Sequence, residues 1–287
     1  MATQAPQSSP SAVRQVGAWL KSIPTPAVLE LASRTGYVAR GAVYLSVGFI
    51  ALLAALDVVP TASGVVGAIQ AWGRWPAGLA LIWLAGAGLL AFAGWRCLQA
   101  VFDADGHGRS LHAWSVRGGQ AISGLVHAAM AFSAFQLLDE LEDLNEESEA
   151  REAAAALLQI PGGDWALIGV GGFVLAVGIA NFAQGLFYDF SKRLGCSRQA
   201  CRWAVPLGRI GYLGRGVAFV PLGFFIAESG FDARASQARS LGGALQTLEA
   251  QPMGSLVLSL TALGLIAFGL FAFVEARFRR MQIPEKP

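Results

Sequence analysis

Charged residues divide this chain into long uncharged runs. Runs free of Asp, Glu, Lys and Arg extend for 16 residues after Arg40, 21 after Arg74, 21 after Arg117, 24 after Asp164, 12 after Arg215 and 25 after Glu249. A helix needs about 20 apolar residues to cross the hydrocarbon core of a bilayer. Four runs are long enough unaided. The first and fifth suffice only if their helices start upstream and take in Arg40 and Arg215, whose long side chains can snorkel to the headgroups. The pattern therefore predicts six spans, near residues 37–56, 77–99, 118–138, 165–187, 210–228 and 254–276. Residues 1–27 read as a loose, Ser/Pro/Gln/Ala-rich start with no apolar core before a cleavage site, so the first span is expected to act as an uncleaved signal-anchor. Residues 28–280 read as one transmembrane domain, and 281–287 as a tail.

Basic residues set the orientation. The side holding both termini carries 17 of the 21 Lys and Arg residues. Both termini are therefore expected in the cytoplasm.

Composition agrees with a membrane protein. Hydrophobic residues make up 54% of the 287 and charged residues 14%, against about 25% charged in soluble domains. A net charge of +2 with no basic run gives no reason to expect a nucleic-acid partner. Cys97 lies in an apolar run, and Cys196 and Cys201 lie in a polar connector without a histidine. Free thiols on the reducing side are expected rather than a zinc site.

The chain repeats itself three times. Gly36, Gly119 and Gly211 align, as do Gly41, Gly124 and Gly216 five residues on, and Arg34, Arg117 and Arg209 two residues before. The second half of each unit aligns on Pro76, Pro161 and Pro252, followed at one constant distance by Gln99, Gln184 and Glu275. The units span about 34–103, 117–190 and 209–279. Each is a two-helix hairpin inserted in the same sense, which implies an approximate threefold axis along the membrane normal. The fold class is all-α and polytopic. Short segments before the prolines (67–72, 153–158 and 243–248) are expected to lie as helices in the outer interface, with a re-entrant turn as the alternative. Gly171, Gly178 and Gly185 recur every seven residues, as a close helix contact requires.

Gly-Tyr-x-x-Arg-Gly at 36–41 and 211–216, and the run Gly243-Ala-Leu-Gln-Thr-Leu-Glu-Ala-Gln-Pro-Met-Gly254, carry a resemblance. With the threefold recurrence they resemble a bacterial membrane family catalogued as domain of unknown function 1206, over roughly residues 28–280. The middle copy departs by lacking the Tyr and Arg. The resemblance implies the fold and an inner-membrane setting, and no activity.

Candidate chemistry gathers at the cytoplasmic ends. Arg34, Arg40, Arg117, Arg209 and Arg215 stand at the N-termini of spans one, three and five, where a cation is disfavoured by roughly 0.3–1 kcal/mol. Compensation is expected from an anionic lipid headgroup, or from Glu275 pairing with Arg40 or Arg215; snorkelling alone is the plainer reading. Arg96, Gln99, Asn181 and Gln184 form a polar layer in the even spans, expected to bond across helices. His127, deep in span three, lacks the titratable neighbours of a proton relay. The acidic connector 139–152 reads as a solvated helix, with a weak cation site as the alternative.

No His-Glu-x-x-His, Gly-x-Ser-x-Gly or Walker loop occurs, and no cofactor or metal is expected. The sequence thus favours a non-catalytic membrane scaffold that meets the lipid bilayer, anionic lipids or a membrane partner, with a homo-oligomer possible. The alternative is a small-solute or ion channel or transporter, which would need polar residues lining a continuous axis.

Overall fold

A computed structural model describes residues 26–73, 75–103, 108, 110–139 and 145–279. The expectations for residues 1–25 and for the 281–287 tail fall outside these. Among the described residues the chain is helical, apart from short connectors and one isolated bridge between Leu194 and Arg279. Its helices are α1 (Pro26–Ala55), α2 (Val65–Gly73), α3 (Gly78–Phe102), α4 (Leu111–Asp139), α5 (Glu146–Leu158), α6 (Gly163–Phe187), α7 (Arg198–Phe231), α8 (Leu241–Glu249) and α9 (Gly254–Phe278). Six of them, α1, α3, α4, α6, α7 and α9, are long and apolar enough to cross a membrane. The protein is a multi-pass, all-α membrane protein.

The helices run past the expected spans at the charged ends. The span expected near 210–228 belongs to a helix that starts at Arg198 and carries Pro206 and Pro221 inside it. That earlier start corrects the reading of the cysteines as free thiols. The first turn of α7 brings Cys201 back over Cys196, 5.6 Å away between Cα atoms, and the two are joined as a disulfide. Cys97 is free.

The three repeats follow one another around the bundle. The most extensive helix contacts join different units: α3 with α4, α6 with α7, and α9 with α1. Each seam is built by the same aligned residues. A Cβ on Gly41 would lie 3.0 Å from the Gly269 carbonyl oxygen, one on Gly124 3.3 Å from that of Ala93, and one on Gly216 2.9 Å from that of Gly178. Residues 93, 178 and 269 hold one register position in the repeat. Small residues at both partners let the backbones come this close, where lipid provides no hydrophobic drive for helix pairing.

Within units the symmetry breaks. α1 packs on α3, and α7 on α9, but α4 and α6 of the middle unit barely touch. In the outer two units the aligned glycine of the first long helix is pressed by a phenylalanine of the second: Gly36 on α1 by Phe92 on α3, and Gly211 on α7 by Phe268 on α9. The corresponding residue of α6 is Val177, and a Cβ on Gly119 would meet nothing within 4 Å.

The centre is filled. Val43, Tyr44, Val47, Leu258, Ala262, Leu265, Phe268 and Phe271 belong to one core cluster, all fully or nearly fully covered. On the side away from the arginines, the three expected short segments are helices, extended to 65–73, 146–158 and 241–249. α8 rests on protein over its first turn, where Leu241, Gly242, Gly243, Ala244 and Leu245 are buried.

Candidate functional site

The arginines aligned two residues before the repeat glycine act on a neighbouring helix. Arg34 donates Nη1 to the carbonyls of Ala276 and Arg277 at the end of α9, and is paired with Glu30. Arg117 donates Nε to the Ala100 carbonyl at 2.7 Å and Nη2 to that of Val101 at 3.0 Å, at the end of α3. These two pairs of carbonyls are equivalent in the repeat. Terminal carbonyls of a helix lack intrahelical donors and carry partial negative charge. The helices begin upstream, at Pro26, Leu111 and Arg198, so Arg34, Arg40, Arg117, Arg209 and Arg215 all lie beyond the first turn and not at the helix N-termini where the sequence put them. Arg34 and Arg117 are stabilised by the C-terminus of the adjacent unit. The sequence pointed to an anion there, and the bundle supplies a helix end instead. Arg209, the third of the set, is exposed.

Arg40 and Arg215, one turn deeper, point into the bundle. Arg40 is buried and donates Nη2 to Glu275 Oε2 at 2.7 Å. Arg279 donates Nη1 to the other oxygen, Oε1, at 2.8 Å. Glu275 is 2% exposed. It takes two cations, and its equivalents Gln99 and Gln184 are neutral. Arg96 donates to Gln99 Oε1 at 3.3 Å.

The remaining positive charge rests on aromatic faces. The Arg215 guanidinium lies 4.9 Å from the centre of the Phe268 ring, and Arg40 lies 5.1 Å from the same ring. Arg40 also lies 5.7 Å from Phe92, on which Arg96 sits at 5.1 Å. Three guanidiniums and two phenylalanines therefore alternate across the interior. Each such contact contributes roughly 0.5–2 kcal/mol, which offsets only part of the cost of burying a cation. Nε of Arg40, Arg96 and Arg215, Nδ2 of Asn181 and Nε2 of His127 are buried with no hydrogen-bond partner among the described residues. His127 shares its Nδ1 proton with the Ser123 carbonyl at 2.7 Å, so neutral Nε2 presents a lone pair. Gln99 and Asn181 are buried and Gln184 is half-buried.

The opposite end corrects the reading of the acidic connector 139–152 as a merely solvated helix, because Glu146 and Glu147 bind the other two repeats. Glu146, at the start of α5, accepts the backbone N–H groups of Gly64 at 2.9 Å and Val65 at 3.1 Å. Glu147 accepts the Ser240 N–H at 3.0 Å and Arg239 Nη1 at 3.0 Å. Gly64 and Ser240 occupy equivalent places, at the N-termini of α2 and α8. Two successive glutamates of the middle repeat thus close the positive helix ends of the other two, beside a polar pocket of about 470 Å³ that Gln70 and Gln246 also line. Burial pushes the Glu146 carboxyl up to about 7, against the backbone bonds that favour its charge. Burial alone would also raise Glu147, but the bonds from Ser240 and Arg239 outweigh it and hold that carboxyl below its ordinary range. The available signal was Asn145, a good N-cap, which accepts from Glu147 N and Ser148 N and so fixes where α5 begins. Residues 140–144 of the acidic run lie outside the described ones.

Among the described residues there is no cluster of three or more His, Cys, Asp or Glu able to hold a metal. The arginine interior and the glutamate clasp both depend on residues that recur, or fail to recur, at fixed places in three tandem units. A family model described as Domain of Unknown Function (DUF1206) matches those units at residues 35–103, 118–188 and 210–279. The chain belongs to this family. DUF1206 also accounts for the Gly-Tyr-x-x-Arg-Gly openings, which lie inside its first and third matches. The uncharacterized protein YxxB of Bacillus subtilis (strain 168) is 33% identical over 253 residues, covering 86% of this chain and 90% of YxxB. No solved structure matches.

Proposed function

We propose that this DUF1206 protein is a non-catalytic protein of the bacterial inner membrane that holds anionic lipid at its arginine-rich end. The observation that carries this is the charge imbalance inside the bundle. Among the described residues, Arg40, Arg96, Arg215 and Arg279 gather there with one carboxylate, Glu275, and three of the four keep a buried Nε–H without an acceptor. Charges at membrane depth are costly, and an acceptor-only phosphate would satisfy these donors. The buried interior supports a scaffold over a transporter, because Phe268, Tyr44 and Leu265 pack into one apolar cluster where a solute path would need polar lining.

Native mass spectrometry of the protein titrated with phosphatidylglycerol tests the reading. The Arg40→Gln/Arg215→Gln variant should retain roughly tenfold less lipid, the loss expected for about 1.4 kcal/mol of binding. Equal retention by wild type and variant would remove the proposal.

We also infer that both termini face the cytoplasm, from the gathering of 17 of 21 basic residues on that side. The Cys196–Cys201 bond pulls the other way, since disulfides persist in oxidising compartments. Reporter tags after Asp139 and Phe231 should register the periplasm, and a cytoplasmic reading from either would reverse the assignment.

A further inference from the structure

We infer that the gap in the middle repeat is the lateral door through which the phosphate headgroup of an anionic lipid reaches the buried arginines. This rests on the lipid-holding reading above and adds the route and the seat. Three departures of the middle unit from its sisters coincide. Ser123 stands where Arg40 and Arg215 stand, Val177 where Phe92 and Phe268 stand, and Gly119 faces open space where Gly36 and Gly211 are pressed by phenylalanine. Together they remove a cation, a ring and a helix contact from one place. As a result α4 and α6 stand apart, and they are the least covered of the six long helices.

The seat we assign is the arginine cluster of the interior. Arg96, whose Cβ borders the α3–α4 seam at Gly124, shares the Phe92 ring with Arg40 and with His127, whose ring centre is 4.7 Å from that of Phe92. Arg215 joins them through Phe268. On α6, Asn181 lies on the stripe of Gly178 and Gly185 that packs against α7; it is 4% exposed, and its Nδ2 has no hydrogen-bond partner among the described residues. The orphaned groups on Arg40, Arg96, Arg215 and Asn181 are donors, against the lone pair of His127 Nε2, and phosphate oxygens only accept. The ligand class is therefore a phosphate-bearing anion. A gap between two membrane-spanning helices opens on the bilayer, which makes a phospholipid its source rather than soluble phosphate.

The test fills the door without touching an arginine. Val177→Phe restores the residue of the sister repeats, and Gly119→Trp projects a ring from a position with free space around it. Wild type and both variants are titrated with phosphatidylglycerol, phosphatidylcholine of the same chains, and inorganic phosphate, and followed by native mass spectrometry. Wild type should favour phosphatidylglycerol over phosphatidylcholine, and either filled variant should lose roughly tenfold of that binding while its Tm stays at or above wild type. If Gly119→Trp unfolds, Val177→Phe decides alone. Full binding by a folded Val177→Phe protein, with loss in Arg40→Gln/Arg215→Gln, would overturn the door and leave the lipid-holding reading standing. Binding of inorganic phosphate that displaces the lipid and is equal in filled and wild-type protein would also overturn the door. No preference for phosphatidylglycerol in the wild type would end both.

Discussion

Glu275→Ala should be the most damaging single change at the arginine end. It leaves Arg40 and Arg279 without the carboxylate whose two oxygens they share, in a place where Arg40 is buried. Removing one partner of a buried ion pair costs about 3–5 kcal/mol. For a chain of this size that is a fall in Tm of roughly 10 °C in lipid discs. Glu275→Gln keeps the shape, matches the glutamines of the sister repeats and should lose less. The double change Arg40→Met/Glu275→Met should recover part of the loss, because it removes the desolvated charge together with its partner. Thermal unfolding of the four proteins checks this series. A Glu275→Ala protein that melts with the wild type would mean that Arg40 is held by its rings alone.

The second large effect is expected at the opposite end. Glu146→Ala strips the acceptor from two backbone N–H groups at the start of α2. Each buried donor left unsatisfied costs about 1–3 kcal/mol, so a loss of roughly 2–5 kcal/mol is expected at any pH. Ionisation gives the site a separate signature. The folded carboxyl sits near 7, above the usual carboxylate range, because burial disfavours its charge. Between the unfolded value and 7 the folded protein binds the extra proton, so stability falls as pH rises. The contribution is fully present below about 4.5 and is lost as pH passes 7. Glu147, held low by Arg239 and Ser240, stays ionised through that window and adds no slope. Tm should therefore decline from pH 5 to pH 8 in the wild type and decline less in Glu146→Gln. Parallel profiles for the two proteins would show that Glu146 is ionised throughout.

Much of the architecture was legible in the chain. The uncharged runs gave six crossings because bilayer thickness fixes helix length, and that constraint is local. The tandem glycines and prolines gave three hairpins. They also gave the seams, since a residue that must be small in one unit must be small at the same register in the others. The roles of Arg34 and Arg117 were not legible. Their spacing reveals the repeat, but neither that their helices start about two turns earlier nor that the C-terminus of another unit lies across from them.

The sequence by itself determined the number of crossings, the repeat and the small residues at its contacts, because each depends on length or periodicity along one helix. Only the tertiary structure decided which charges meet. Arg40 and Glu275 stand 235 residues apart, and Glu146 reaches a backbone 82 residues away. Pairs so distant are set by how the three hairpins close on one another, and no local pattern encodes that. The open middle unit belongs to the same class. Ser123, Val177 and Gly119 are unremarkable one at a time; they matter because the sister units bring an arginine, a phenylalanine and a glycine together at those same positions, while α4 and α6 barely touch.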